Sequence, residues 1–159
     1  MDERDAAAQP IVEKHVWYAA GAGLIPVPLV YMAAITAINL NMIKALSTHF
    51  GVEFTEDRGK AIVGALAGGA STGLLARNPT TTAMLRAIPL VGQTIASLSM
   101  SVFGAGLTYA VGQVFIQHYA TGGTMLDFDT AKARTFFADQ YEKGKRLLGG
   151  KPATEPVPA

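Results

Sequence analysis

The side chains best suited to chemistry in this sequence are three histidines, which can bind a metal ion or transfer a proton near neutral pH. His15, His49 and His118 lie far apart, and none has a second histidine at the spacing of a metal-binding helix. Glu13 is close to His15, but side chains two residues apart on a helix point in different directions. The chain has no cysteine, which excludes thiolate catalysis and disulfides. The sequence therefore predicts neither a metal site nor a cofactor site.

Serine and glycine segments also lack the features of a catalytic site. The serines of segment 97–101 lie in apolar sequence without the Gly-x-Ser-x-Gly turn of hydrolases. The glycine-rich segment 61–76 lacks the lysine that a phosphate-binding P-loop requires. No Asp, Glu, Lys or Arg occurs in segments 15–43, 61–76 and 87–126, so an acid–base pair within them is excluded. We predict that the protein is not an enzyme.

Charged residues are few and are concentrated between the apolar segments. They make up 16% of the 159 residues, against roughly 25% in ordinary soluble domains. A helix of a soluble protein normally carries a charged face, so long uncharged segments favour contact with lipid. The formal net charge of +1 predicts no nucleic-acid partner.

Prolines interrupt two of the apolar segments. Pro26 and Pro28 lie within segment 15–43, and Pro89 lies near the start of segment 87–126. Because proline lacks a backbone N–H and clashes with the preceding turn, each site predicts a break between two helices. The predicted fold is all-α: two proline-broken helical hairpins packed as a membrane-embedded bundle, followed by a C-terminal amphipathic helix.

Aromatic residues mark the borders of the apolar segments. Trp17 and Tyr18 follow the first charged segment, and Tyr119 lies where the last apolar helix ends. Such side chains are typical of a membrane–water interface, although Trp17 could equally pack in a core. Asn39 lies inside an apolar helix, where its amide needs a partner on another helix.

Four glycines in segment 61–76 predict a helix-contact surface. Gly64 and Gly68 form one small-xxx-small pair, and Gly69 and Gly73 form a second. In water four glycines would cost a helix roughly 3–4 kcal/mol relative to alanine. In a bilayer they instead let two helices approach closely.

The charge pattern also predicts the organisation of the chain. The predicted parts are a flexible leader over 1–9, a helical membrane-associated domain over 10–120, an amphipathic helix over 121–148 and a disordered tail over 149–159. The amphipathic helix could lie on a membrane, but docking on the bundle is favoured. Basic residues after 121 predict a cytoplasmic C-terminus.

Two motifs resemble the YcjF-like family, a domain of unknown function that often follows an Era-like GTPase domain. Residues 15–29 contain an Ile-Pro-x-Pro motif, and residues 88–92 read Ile-Pro-Leu-Val-Gly. The resemblance covers about 11–120 and implies a helical, membrane-associated module without a known catalytic residue. The chain departs from the family at Tyr31, where an Asp is common, and at Asn39, where a Gln is common.

These observations predict a non-enzymatic protein of the bacterial inner membrane. It would act as a scaffold, anchor or accessory subunit through helix–helix association, with no cofactor. Its partners would be membrane lipid and either a second copy or another membrane protein, such as a GTPase. The alternatives are an oligomeric pore or membrane-remodelling protein, and a soluble helical domain that binds lipid.

Overall fold

The computed structural model describes the backbone of residues 3–77 and 91–148, and the side chains of 3–27, 29–68 and 100–148. These residues form five α-helices and no strand. The helices are α1 (Glu3–Ala22), α2 (Pro28–Phe50), α3 (Glu56–Arg77), α4 (Val91–Ala120) and α5 (Thr130–Arg146). The predicted all-α class is confirmed for the described residues.

Local sequence explains where α2 and α5 begin and end. Pro28 starts α2, where its missing N–H costs no helical hydrogen bond. Gly51 ends α2 with φ 69°, a left-handed conformation that glycine adopts without strain. Asp129 precedes α5 and accepts hydrogen bonds from the backbone N–H groups of Ala131 and Lys132, at 3.0 and 3.2 Å.

Helix α1 begins earlier than the sequence pattern predicts. It starts at Glu3 and contains Pro10, so residues 3–9 belong to the helix. Ala8 is fully buried, and the Arg4 guanidinium donates a 2.7 Å hydrogen bond to the carbonyl of Phe50. These contacts with the rest of the bundle order a segment whose composition is polar and alanine-rich.

Helix α4 is the centre of the bundle, and α1 packs against it in the opposite direction. A Cβ at Gly112 would lie 2.6 Å from Val12 Cγ2, and a Cβ at Gly104 would lie 3.1 Å from the Ala19 carbonyl oxygen. As the residue numbers rise along α1 they fall along α4, so the two helices are antiparallel. The glycines allow the two backbones to approach closely.

Helix α2 packs on α4 and runs parallel to it. Three hydrogen bonds join the two helices: Tyr31 Oη to the Met100 carbonyl (2.8 Å), Asn39 Nδ2 to Thr108 Oγ1 (3.2 Å) and Ser47 Oγ with Tyr119 Oη (2.8 Å). The numbers rise together along both helices, which makes them parallel. Since α1 is antiparallel to α4, it is also antiparallel to α2. Asn39 is fully buried, and α4 is the helix that its amide contacts.

Helices α5 and α3 complete the bundle. Phe128, just before α5, stacks on Phe115 of α4 with ring centroids 5.0 Å apart. A Cβ at Gly144, near the end of α5, would lie 2.7 Å from Tyr109 Cβ, so α5 is antiparallel to α4. The predicted amphipathic helix thus packs on the bundle, where Phe137 and Tyr141 are buried. Helix α3 packs on α2, α4 and α5.

One helix in the described part of the chain has the length and composition to cross a membrane. It is the segment Leu29–Phe50, of 22 residues. An apolar core helix of a soluble protein meets the same criteria, so these two properties alone do not place it in lipid. The predicted break at Pro89 and the predicted tail over 149–159 lie outside the described residues.

Candidate membrane-contact surface

Exposed apolar side chains are concentrated at one end of the bundle. We call this region the proline end; it comprises residues 17–33, that is, the turn 23–27 and the adjoining parts of α1 and α2. Of the nine large apolar side chains that are exposed in the described residues, seven lie here: Trp17, Tyr18, Leu24, Val27, Leu29, Val30 and Met32. Leu24 and Leu29 are 69% and 83% exposed, so the surface is strongly apolar.

Backbone hydrogen bonds and close packing shape the turn between α1 and α2. The N–H groups of Gly23, Leu24 and Ile25 donate to carbonyls in the last turn of α1, at 3.0–3.3 Å. A Cβ at Gly23 would collide with the backbone of Ser101 in α4, so a glycine is needed for this approach. Pro26 contributes no N–H that would need a partner. The backbone of the turn is largely satisfied internally, while the side chains of Leu24 and Val27 are exposed and Ile25 packs against the core.

The exposed surface of α1 changes from charged to apolar towards the proline end. Glu13 and Lys14 are exposed, Trp17 and Tyr18 follow one turn later, and Leu24 follows in the turn. The Lys14 ammonium lies 5.8 Å from the centroid of the Tyr18 ring. Charged, aromatic and apolar side chains in this order are typical of a segment that enters a membrane from water.

The exposed surface of α2 shows the same gradient in the reverse order of sequence. Leu29, Ala33 and Ala37 are exposed first, and the polar residues Asn41 and Lys44 follow on the same side of the helix. Lys44 lies sixteen positions after Pro28, the first residue of α2, which corresponds to a rise of about 24 Å. The apolar part of this face is therefore shorter than a bilayer core of about 30 Å.

The sequence predicts an interface position for Trp17, Tyr18 and Tyr119, but Tyr119 lies in the core. It is 4% exposed, its hydroxyl is bonded to Ser47, and its ring packs near those of Phe50 and Phe115. Burial raises the pKa of its hydroxyl. Phe115 and Tyr119 are four positions apart in the helix, which places both on the buried side of α4. Trp17 and Tyr18 are exposed.

The glycines of α3 and α4 have different surroundings. A Cβ at Gly64 or Gly68 would meet no heavy atom within 4 Å, and both positions are exposed. Gly104 and Gly112 instead lie against side chains of α1 and α2. These two glycines of α4 thus serve packing inside the chain. Gly69 and Gly73 also belong to α3, but their surroundings are outside the described residues.

The opposite end of the bundle is polar; we call the connectors 51–55 and 121–129, with the helix ends that they join, the polar end. His118 Nε2 lies 2.7 Å from the Thr124 carbonyl and 3.0 Å from Asp127 Oδ1. Asp127 also accepts a 2.7 Å hydrogen bond from the Thr124 N–H. This backbone hydrogen bond, with the contact to His118, holds the pKa of the exposed Asp127 carboxyl below its ordinary value.

Polar groups at this end are engaged in holding the chain together. Arg58 donates to the carbonyls of Met125 and Leu126, at 2.9 and 2.6 Å. An open cleft of about 310 Å³ lies between α4 and α5, lined in part by His118 and Asp127. Within the described residues, no three His, Asp or Glu side chains are grouped as metal ligands. The arrangement here joins connectors to helices.

Comparison with known proteins shows similarity to a family and to a named membrane protein. Residues 1–146 match the family described as a domain of unknown function, DUF697. The chain is 36% identical over 144 residues to Magnetosome membrane protein 22 of Magnetospirillum gryphiswaldense. That alignment covers 91% of this chain and 73% of the magnetosome protein. No solved structure matches the chain.

Proposed function

We propose that this chain, a member of the DUF697 family of domains of unknown function, is a non-enzymatic membrane protein. It would act as a scaffold, anchor or accessory subunit. The observation that carries the proposal is the cluster of exposed apolar side chains at the proline end. The similarity to a protein named as a magnetosome membrane protein supports membrane association. The proline end would be the part that contacts lipid.

Exposure of this surface to water is unfavourable. Burying a leucine, valine or methionine side chain contributes about 1.5–3 kcal/mol, and five such side chains are exposed here. Large exposed apolar patches on natural proteins mark contacts with a membrane or another protein. Trp17 and Tyr18 would lie at headgroup level, with Leu24 and Leu29 deeper. The proposed arrangement is a bundle seated in the membrane by one end.

We also propose the bacterial inner membrane as the location, with α5 on the cytoplasmic side. The similar protein is bacterial, and the last turn of α5 contains Lys143, Lys145 and Arg146. Basic segments next to a membrane favour the cytoplasmic face. The resemblance to the YcjF-like family supports the proposal that the scaffold binds another membrane protein, for example a GTPase.

Helix–helix association would use the exposed side of α3. Ala61, Gly64, Ala65 and Gly68 are small and exposed, which allows a second helix to approach closely. Gly64→Leu should reduce self-association measured by sedimentation velocity in detergent, because the new side chain fills the contact. Gly64→Ala keeps the surface small and should retain association. Identical oligomer sizes for both variants would contradict this use of α3.

Vesicle flotation tests the membrane proposal. The purified protein should float with phosphatidylcholine vesicles, whereas the double variant Leu24→Glu/Leu29→Glu should partition about tenfold or more weakly, because carboxylates enter lipid unfavourably. Leu126→Glu is the matched control, since Leu126 is 77% exposed but lies at the polar end. It should float like the unchanged protein. Equal flotation of all three proteins, or no flotation of any, would overturn the proposal.

A further inference from the structure

We infer that the proline end recognises a bilayer surface containing anionic phospholipid, through basic side chains of α1 and α5 that lie at headgroup level. The inference rests on the proposed function, because it requires that the apolar side chains of the proline end enter the membrane. It adds the class of lipid and assigns the contact to Lys14, Lys143 and Arg146.

The last turn of α5 lies beside the half of α4 that leads to the proline end. A Cβ at Gly106 of α4 would lie 3.0 Å from Lys145 Cγ. Gly104, half a turn away, is the residue of α4 that faces the Ala19 carbonyl of α1. The basic end of α5 is therefore level with the last turns of α1, just behind the exposed apolar turn.

Two of the three cations in this turn of α5 are available to a ligand. Lys145 is engaged, because its ammonium lies 3.0 Å from the Glu142 carboxylate and 5.2 Å from the centroid of the Tyr141 ring. Lys143 and Arg146 are exposed, and neither forms an ion pair within the described part of the chain. Their charges can therefore face a membrane surface.

Lys14 supplies a third cation at a similar level on α1. It lies between Val12, which packs on Gly112, and Ala19, which packs on Gly104. The Lys14 ammonium lies 5.8 Å from the centroid of the ring of Tyr18, the residue one turn nearer the proline end. A lysine one turn outside an interfacial aromatic residue can reach lipid phosphates while its alkyl chain follows apolar surface.

The balance of charge differs between the two ends. Near the proline end, counting the last two turns of α5, the described residues carry four bases, Lys14, Lys143, Lys145 and Arg146, and three acids, Glu13, Asp139 and Glu142. The polar end carries six bases and seven acids: Arg4, Lys44, Arg58, Lys60, Lys132 and Arg134, with Glu3, Asp5, Glu53, Glu56, Asp57, Asp127 and Asp129. The excess of positive charge thus accompanies the apolar surface. A negative membrane surface would attract this end first.

Flotation with two kinds of vesicle tests the inference. The unchanged protein should partition more strongly onto vesicles with about one quarter phosphatidylglycerol than onto pure phosphatidylcholine, and about 0.5 M salt should reduce the difference. The double variant Lys143→Gln/Arg146→Gln should partition about 30-fold more weakly onto the anionic vesicles, since each cation near such a surface contributes about fivefold. Its binding to phosphatidylcholine should be unchanged.

The control is a variant with the same change of charge at the other end of α5. Lys132→Gln/Arg134→Gln also removes two exposed cations, but near the polar end. It should keep the preference for phosphatidylglycerol, and circular dichroism should show that both variants are folded.

Equal binding of the unchanged protein to both vesicles would overturn the inference while leaving membrane insertion intact. Equal losses in the two variants would overturn it too, because net charge alone would then explain them. Absence of binding to either vesicle would overturn both proposals.

Discussion

The two ends of the bundle are built from similar parts, helix termini and short connectors, but their side chains interact differently. At the polar end side chains bond to backbone: Arg58 and Asp127 bond to the connector 121–129, and Asp129 caps α5. At the proline end the turn is held by backbone hydrogen bonds, and no side-chain hydrogen bond caps the start of α2. Seven large apolar side chains of this end are exposed, whereas Tyr31 is buried against α4.

This difference separates stability from binding. Polar side chains that hold a connector in water contribute to the folded state, so changing them should lower the free energy of unfolding. Exposed apolar side chains contribute little to folding because they are already in water. They contribute when lipid or a partner covers them. We therefore expect the two ends to respond to different measurements.

The largest loss of stability should follow from removing Arg58. Arg58→Ala leaves the carbonyls of Met125 and Leu126 without their charged donor and should lower the free energy of unfolding by about 2 kcal/mol. Urea denaturation followed by circular dichroism measures this. Lys60→Ala is the control, because the Lys60–Glu56 pair is exposed and contributes about 0.5 kcal/mol or less. If Arg58→Ala bound vesicles more weakly under conditions in which it is fully folded, the polar end would contribute to membrane binding. That result would contradict the assignment of stability to one end and binding to the other.

A smaller loss should follow from removing the N-cap of α5. Asp129→Ala removes the acceptor for two N–H groups at the start of the helix and should cost about 1 kcal/mol. Asp139→Ala, on the exposed side of the same helix, should change stability by less than about 0.5 kcal/mol. Equal effects of the two changes in urea denaturation would show that the cap contributes nothing.

Asp127 should make the polar end sensitive to acid. Its pKa is lower in the folded state than in the unfolded chain, so its contribution is present above the ordinary aspartate pKa. The contribution is lost as the pH falls through the lowered value. Asp127→Asn should therefore show a flatter dependence of Tm on pH below about pH 4 than the unchanged protein. Parallel pH profiles of the two proteins would exclude this contribution.

The smallest effect on folding is expected at the proline end. Leu24→Gln/Leu29→Gln should change the free energy of unfolding in lipid-free buffer by about 0.5 kcal/mol or less, because both side chains are exposed. Vesicle binding should nevertheless fall. If urea denaturation instead shows a large loss of stability, the two leucines support the fold and are not a free membrane-contact surface.

Much of this fold can be predicted from residue pattern. Gly51 and Asp129 are standard helix-end residues, and they end α2 and cap α5. A polar Asn39 in an apolar helix indicates a neighbouring helix, and its amide contacts α4. The early start of α1 could not be predicted from local sequence. Ala8 is buried by contacts with helices that are distant in sequence.

The candidate surface is only partly predictable. The order of charged, aromatic and apolar residues around Trp17 predicts an interface position, and in the structure the side chain of Trp17 is exposed. The same reasoning does not hold for Tyr119. Its position near the end of a helix does not reveal that its side chain points towards α2, where its hydroxyl bonds to Ser47. Which small residues pack inside the chain also depends on helix pairing, which places Gly112 inward and leaves Gly64 exposed.

The environment of Trp17 tests the central claim most directly. It is the only tryptophan in the chain and is 61% exposed, so tryptophan fluorescence, excited at a wavelength that tyrosine does not absorb, reports on the proline end alone. When vesicles containing phosphatidylglycerol are added, the emission should shift to shorter wavelength, and lipids brominated high on the acyl chain should quench it. Unchanged emission, with full quenching by aqueous acrylamide in the presence of vesicles, would show that this end stays in water and would contradict the account.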